Sequence, residues 1–209
     1  QVRHRGPAPG TRHRRAQARE VVLHRSVAAE DAAFRGYSLV LDGGHAVFSL
    51  IHFWPGNAIR VQTKQALPAG EWTHVTVTYD GSSRAGGLRV YLNGAPAALD
   101  VVRDSLTRDI IQRVEWGDSG GGELALGARF RDVGFKGGSV DELLVFDREL
   151  TPLEVPLLGG IDVPPGDAAR FEHYLLRRDD ACGAVREELR NLRVQENDLP
   201  VSLPAVGDE

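Results

Sequence analysis

From Val21 to Phe146, apolar residues recur in short alternating runs, separated by turns rich in Gly, Asp and Asn. Tyr37, Leu39 and Leu41 alternate with Ser38 and Val40. Asp42-Gly43-Gly44 turns the chain, and Ala46, Phe48 and Leu50 then alternate with Val47, Ser49 and Ile51. Successive side chains on a strand point to opposite faces, so this stretch predicts a hairpin apolar on both faces, as in a packed sandwich. His74–Tyr79 is the clearest strand, with Val75, Val77 and Tyr79 on one face and His74, Thr76 and Thr78 on the other. Leu88, Val90 and Leu92 alternate next. Asn93-Gly94 follows as the strongest hairpin signal in the chain, since a type I′ turn needs two residues that tolerate positive φ. Ile59–Gln62, Ala97–Val102, Leu124–Leu126 and Val140–Phe146 are further predicted strands. Strands at this spacing, with no helix between them, predict an all-β antiparallel jelly-roll sandwich over residues 20–158.

The pattern changes after Leu150. Thr151-Pro152-Leu153-Glu154 predicts a helix start, where Thr151 accepts from a free backbone N–H and the missing N–H of Pro152 costs nothing. Pro156 limits that helix to about one turn. Residues 159–209 read as a hinge and a helical extension. Pro164-Pro165-Gly166 is the hinge. Phe171, Tyr174 and Leu175, then Val185, Leu189 and Leu192, have helical spacing on a charged background. Two short helices ending near Leu199-Pro200 are expected. Their narrow apolar stripe and the hinge predict packing on a partner or neighbouring domain, not on the sandwich core. Residues 1–19 lack any hydrophobic period, and Gly6-Pro7-Ala8-Pro9-Gly10 is loop-like, so this stretch reads as a disordered arm.

Charge sharpens that reading of the arm. Residues 1–25 carry seven Arg and one Glu, whereas the whole chain has a net charge of −4. The arm is therefore basic, but the chain as a whole is no polyelectrolyte for nucleic acid. Lys64 and Lys136 are the two Lys among 25 basic residues. No apolar run approaches the ~20 residues of a membrane-spanning helix. Met is absent, so the sequence does not begin at a native start codon and reads as a fragment or a processed chain. The single cysteine, Cys182, excludes an internal disulfide and a Cys-based zinc cluster, and there is no C-x-x-C-H haem attachment site.

Three segments together resemble a known family. They are Trp72-Thr73-His74-Val75-Thr76-Val77-Thr78-Tyr79-Asp80-Gly81, the strand and turn Leu88–Gly94, and Gly138–Glu154 with its Asp141-Glu142 pair. They resemble the laminin-G-like, concanavalin-A-like lectin jelly roll. Phe34–Tyr37, Ile51–Asn57, Tyr79–Ser83 and Leu126–Arg129 look like one subgroup, embedded in large exported planctomycete proteins that also carry a c-type cytochrome domain. The resemblance covers residues 20–199. It implies an extracytoplasmic (periplasmic or secreted) binding module, with carbohydrate as ligand class and neighbouring domains of the parent chain as partners. The alternative it implies is a purely structural domain that positions cytochrome and other domains. Haem would belong to the parent protein. The family domain begins with strands before the Val21 region, so this copy is expected to be N-terminally truncated, marginal alone, and open at one sheet edge.

The chemistry-bearing residues point to binding and not to catalysis. Gly117-Asp118-Ser119-Gly120-Gly121 imitates a serine-protease nucleophile loop, but no histidine has the context of its base, and a glycine-rich loop explains the residues. Glycoside hydrolysis needs two carboxyls across a cleft; adjacent Asp141 and Glu142 on a strand face opposite ways. Calcium would draw on Asp80, Asp118 and Asp141, which form no spaced ladder and suit turn-capping roles. His45, His52 and His74 would ligate a metal only if the fold gathered them. Trp54 and Trp72 are the flat apolar surfaces on which a sugar could stack. Asn57, His52 and Arg60 stand near Trp54 to bond its hydroxyls. Trp72 leads an alternating strand and reads as a core anchor, whereas Trp54 sits beside Pro55-Gly56 in a turn. Trp116 reads as a rim residue in the Gly-rich stretch.

Overall fold

The computed structural model of the chain describes residues 1–3, 19–26, 35–111, 123–129, 133–162 and 164–199. Residues 4–18 of the basic arm, and the stretch holding Trp116, Asp118 and Ser119, lie outside the described residues. The strands are β1 (Val2–Arg3), β2 (Glu20–Arg25), β3 (Gly36–Asp42), β4 (His45–Phe53), β5 (Asn57–Ala66), β6 (Trp72–Thr73), β7 (Val75–Tyr79), β8 (Leu88–Leu92), β9 (Ala95–Pro96), β10 (Leu99–Asp104), β11 (Leu124–Leu126), β12 (Val133–Gly134) and β13 (Ser139–Val140). Three helices follow: α1 (Glu154–Leu158), α2 (Asp167–Arg177) and α3 (Asp180–Asp198). The protein is mostly β, with antiparallel sheets and a helical C-terminal part, as the pattern predicts.

The large sheet runs β10-β5-β4-β3-β2-β11, and β12 pairs in parallel with β2. The opposing layer has two hydrogen-bonded pieces, β13-β1-β6 and β7-β8-β9, and His74 alone separates β6 from β7. Val2 and Val140 from one piece, with Val75 and Leu92 from the other, pack against Leu39, Leu41 and Ala46 of the large sheet. A second cluster joins Leu50, Ile59 and Val61 to Leu88 and Val90. Val2–Arg3 is thus a strand of the sandwich and not part of an arm, because Val2 is buried in the core.

Turn chemistry sets the register. Gly43 and Gly44, at φ 60° and 87°, close β3–β4, and Asn93 and Gly94, at 49° and 77°, close β8–β9. Both are the two-residue turns that match strand twist. Gly36 has φ 134°, and a Cβ there would lie 1.9 Å from the carbonyl oxygen of Arg25. At α1 the Glu154 N–H donates to Thr151 Oγ1 at 3.3 Å, while the Thr151 N–H donates to Glu154 Oε2 at 2.8 Å. This is the reciprocal capping box of a Thr-x-x-Glu sequence.

Two expectations change. Val140–Phe146 forms a ladder only at Ser139–Val140; beyond it the segment is exposed and pairs with no strand among the described residues. A ladder needs a partner edge as well as an alternating sequence. The helices of the extension dock on the sandwich itself, through polar groups. Arg89 donates to Glu172 at 2.5 Å and Arg186 to Glu149 at 2.7 Å; Arg177 reaches Glu154 at 2.8 Å and the Glu149 carbonyl at 2.5 Å. Arg108 donates to the carbonyls of Asn197 and Leu199 and so closes the C-terminus of α3. Neither α2 nor α3 has a buried residue.

Burial pushes the Glu154 carboxyl upward. Hydrogen bonds from Arg177, then Arg148 and the Thr151 N–H, outweigh that effect and hold it down at about 2, against 4.5 for an ordinary Glu. A carboxyl depressed in the folded state stabilises above its unfolded pKa, and that stability is lost as pH falls. The docking of α2 should therefore weaken progressively from about pH 4.5 toward pH 2. Hydrogen exchange of the α2 amides, followed from neutral to acidic pH, checks this. Glu154→Gln should remove much of the pH dependence and cost about 1.5–3 kcal/mol at neutral pH. Gly36→Ala should cost about 1–3 kcal/mol, read as a lower melting temperature, because the β2–β3 ladder must shift to admit a Cβ.

Candidate binding surface around Trp54

Trp54-Pro55-Gly56 links β4 to β5, and the Trp54–Pro55 peptide is cis. Trp54 is half-buried, and its ring packs on Ile51 and Ala58. Arg60 has the parity of Ala58 on β5, which puts it on the outer face of the large sheet. Its Cζ lies 3.6 Å from the Trp54 ring centroid, its Nε donates to Ser49 Oγ at 2.8 Å, and it is 2% exposed. The buried guanidinium thus supports one face of the indole by a cation–π contact. It stands beneath the surface.

Asn57 and His52 are held by the loop that follows β10. Asn57 Nδ2 donates to Thr107 Oγ1 at 2.7 Å, and its Oδ1 accepts from the N–H of Thr107 at 2.9 Å and of Arg108 at 3.4 Å. His52 Nδ1 lies 2.6 Å from the Asp109 carbonyl, which can only accept, so Nδ1 carries the proton and Nε2 accepts from Arg35 at 3.3 Å. Of the residues singled out around Trp54, Arg60 meets the ring, whereas His52 and Asn57, the latter with the parity of inward Ile59, are engaged by the loop after β10. Phe53, at the end of β4, is 53% exposed beside them; the alternation of β4 did not single it out.

The other candidates are dispersed. Trp72 is 42% exposed and is not a core anchor: Thr73 points inward, so Trp72 shares the outer parity of His74 and Thr76. Asp80 Oδ1 accepts from the Ser82 N–H at 2.7 Å and closes a turn. Asp141 Oδ1 accepts from the Glu142 N–H at 2.9 Å, and Gln1 Nε2 donates to Glu142 at the same distance. His45 and His52 sit at opposite ends of β4, and His74 lies in the other layer. His45 Nδ1 donates to the Thr63 carbonyl at 2.8 Å. Burial, then the nearby N-terminal amine, holds His74 below its ordinary pKa, with Glu142 opposing. Among the described residues no group of three His, Cys, Asp or Glu is placed to hold a metal ion.

A cleft of about 290 Å³ lies between the β10-following loop, the turn after β7 and α3; Leu106, Ile110, Leu189 and Val194 line it. Sequence reasoning missed it because α3 meets the sandwich through Arg108 and Arg193, whose carbonyl partners have no sequence signature. Among the described residues no helix is long and apolar enough to cross a membrane.

Among curated proteins none matches the chain. An S-layer domain-containing protein from Clostridium thermocellum ATCC 27405 (residues 221–444, crystal structure) is similar at 18% identity. The match covers 73% of this chain and 68% of that one, with a TM-score of 0.28. A laminin G family profile, described as the concanavalin A-like lectin/glucanases superfamily, matches residues 12–156. Domains of this kind are in general non-catalytic binding modules. With its antiparallel sandwich, and with that profile matching more than half of its length, the chain belongs to the concanavalin A-like lectin/glucanases superfamily.

Proposed function

We propose that the chain is a non-catalytic binding module of a larger exported protein, and that it takes carbohydrate on the surface around Trp54. The observation that carries this reading is the indole itself. It is half-buried on a tight turn, backed by Arg60 at 3.6 Å, with exposed Phe53 next to it. A sugar stacks on a flat apolar ring through its C–H face, and a ring fixed in advance costs little ordering on binding. The exported setting and the cytochrome-bearing planctomycete parent rest on the residue-level resemblance given above. Calcium enters only as a candidate ligand of Asp80 or Asp141.

One observation favours the second reading, a purely structural domain that positions its neighbours. The amide of Asn57 and both ring nitrogens of His52 are spent on the loop that follows β10. Such spending fits a scaffold as well as a site.

A glycan array read with wild type, Trp54→Ala and Asn57→Ala separates the two. The binding reading expects retention of at least one glycan class by wild type and its loss in Trp54→Ala. That variant should still fold, since a half-buried indole should cost less than the ~3–5 kcal/mol of a fully buried one. Asn57→Ala should lower the melting temperature and release the Thr107 loop. Retention unchanged in folded Trp54→Ala, or no glycan retained by wild type, decides for the scaffold.

A further inference from the structure

The cleft between α3 and the sandwich is apolar on both sides, yet it stays open. On the sandwich side, Leu50 and Leu106 belong to a core cluster and Ile110 packs against it. On the helix side stand Leu189 and Val194, 44% and 56% exposed although both line the cleft. Burial of apolar area alone would draw these walls together. Polar contacts set the spacing of α3 instead. Arg193 reaches across to the Gly81 carbonyl in the turn after β7, and Arg108 holds the carbonyls of Asn197 and Leu199.

The rim adds positive charge. Arg186, Arg190 and Arg193 line the cleft from successive turns of α3, and Arg108 lines it from the loop after β10. Arg186 and Arg190 pair with the carboxylates of Glu149 and Glu187. Arg193 and Arg108 have backbone carbonyls as partners, so among the described residues no carboxylate in contact neutralises either guanidinium. Two acids of the lining serve their own turns: Asp80 accepts from the Ser82 N–H and Asp109 from the Ile111 N–H. Glu196, one turn on from Arg193, is the remaining acid of the lining.

We propose that this cleft binds a small amphipathic carboxylate, with its apolar body against Leu106, Ile110 and Leu189 and its head group at Arg193. Size and chemistry select that class. At ~30 Å³ for each water-sized group, the 290 Å³ cleft holds about ten non-hydrogen atoms, a carboxylate on a body of about eight carbons. Arg193 gives one nitrogen to Gly81, and its other N–H donors remain for a carboxylate, in the charge-assisted bonds that guanidinium makes best. A sugar would set its hydroxyls against Leu and Ile without partners. A wholly apolar molecule would displace water from the guanidinium and give nothing in return. This inference does not depend on the Trp54 surface.

The test titrates sodium octanoate, which has this size and head group, into the whole chain. Octanol and acetate each carry half of its chemistry and serve as controls. Octanoate should saturate with a Kd of about 1 mM or below, and shift the nuclear magnetic resonance signals of Leu106, Ile110, Leu189 and Val194. Octanol and acetate should bind about tenfold more weakly or worse, as should octanoate to Arg193→Gln. Leu189→Ser touches none of the docking hydrogen bonds and should weaken octanoate by about fivefold. Glu196→Gln should tighten it, because a like charge near the head group is removed. Octanol binding as tightly as octanoate, no saturable shift at those four residues, or undiminished affinity in folded Leu189→Ser overturns the proposal. If Arg193→Gln releases α3, the octanol comparison and Leu189→Ser still decide.

Discussion

β4 and β5 are buried on both faces, and the rest of the molecule is arranged around that constraint. Their inner side chains join the apolar clusters between the layers. Their outer side chains include Val47, Ile51 and Ala58, but also Ser49 and Arg60. A guanidinium taken out of water must be hydrogen-bonded or stacked, since an unpaired buried charge costs several kcal/mol. Ser49 Oγ accepts a hydrogen bond from Arg60 Nε, and the indole of Trp54 lies against the guanidinium. That contact fixes the turn between the two strands. Asn57, just past the turn, then holds the loop after β10, and Arg108 in that loop closes the C-terminus of α3. The same few residues thus place the candidate surface and anchor the far end of the extension.

The extension is held by charge and not by an apolar seam. An exposed ion pair is worth about 0–1 kcal/mol, whereas burying one Leu or Val is worth about 1.5–3 kcal/mol. Arg190–Glu187, both exposed and on one helix, adds little on that scale. The cluster of Glu149, Glu154, Arg177 and Arg186 is different, because Glu149 is nearly covered and Glu154 accepts from two Arg side chains and a backbone N–H at once. Phe171, Val185 and Leu192 remain outside any core. Hence the sandwich does not need α2 and α3 to complete its own apolar layers, and the helices depend on the sandwich for their place.

What the sequence discloses divides along a physical line. Elements fixed by local rules are legible in it. Leu88–Leu92 and Leu124–Leu126 match to the residue, the Gly43-Gly44 and Asn93-Gly94 turns form with positive φ, and Thr151-Pro-Leu-Glu154 caps a single helical turn. Outcomes fixed by a distant partner are not legible. Val140–Phe146 alternates too little to name its face, and beyond the Asp141–Gln1 bonds no strand pairs with it among the described residues. Trp72 starts a strand whose inward parity begins at Thr73, so the largest side chain of that strand points out. Arg60 reads as a residue that bonds sugar hydroxyls beside Trp54, whereas the fold buries it beneath the ring. Arg60 does meet Trp54, because β4, its turn and β5 are contiguous in sequence, while Asn57 and His52 turn to the loop after β10. The bonds of Asn57 and His52 to Thr107, Arg108 and Asp109, some fifty residues away, carry no pattern.

Those long-range bonds bear on what the surface can recognise. A sugar site draws affinity from stacking and orientation from directional hydrogen bonds. Around Trp54 the stacking partner is available, and the directional groups of Asn57 and His52 are already used. A ligand that displaced Thr107 from Asn57 would leave two backbone N–H groups to be satisfied again, at about 1–3 kcal/mol each when buried. Stacking without such displacement would bind many sugars and hold none tightly. A platform of that character holds a ligand weakly by itself, and linkage to a second contact is what would turn such weak binding into avidity.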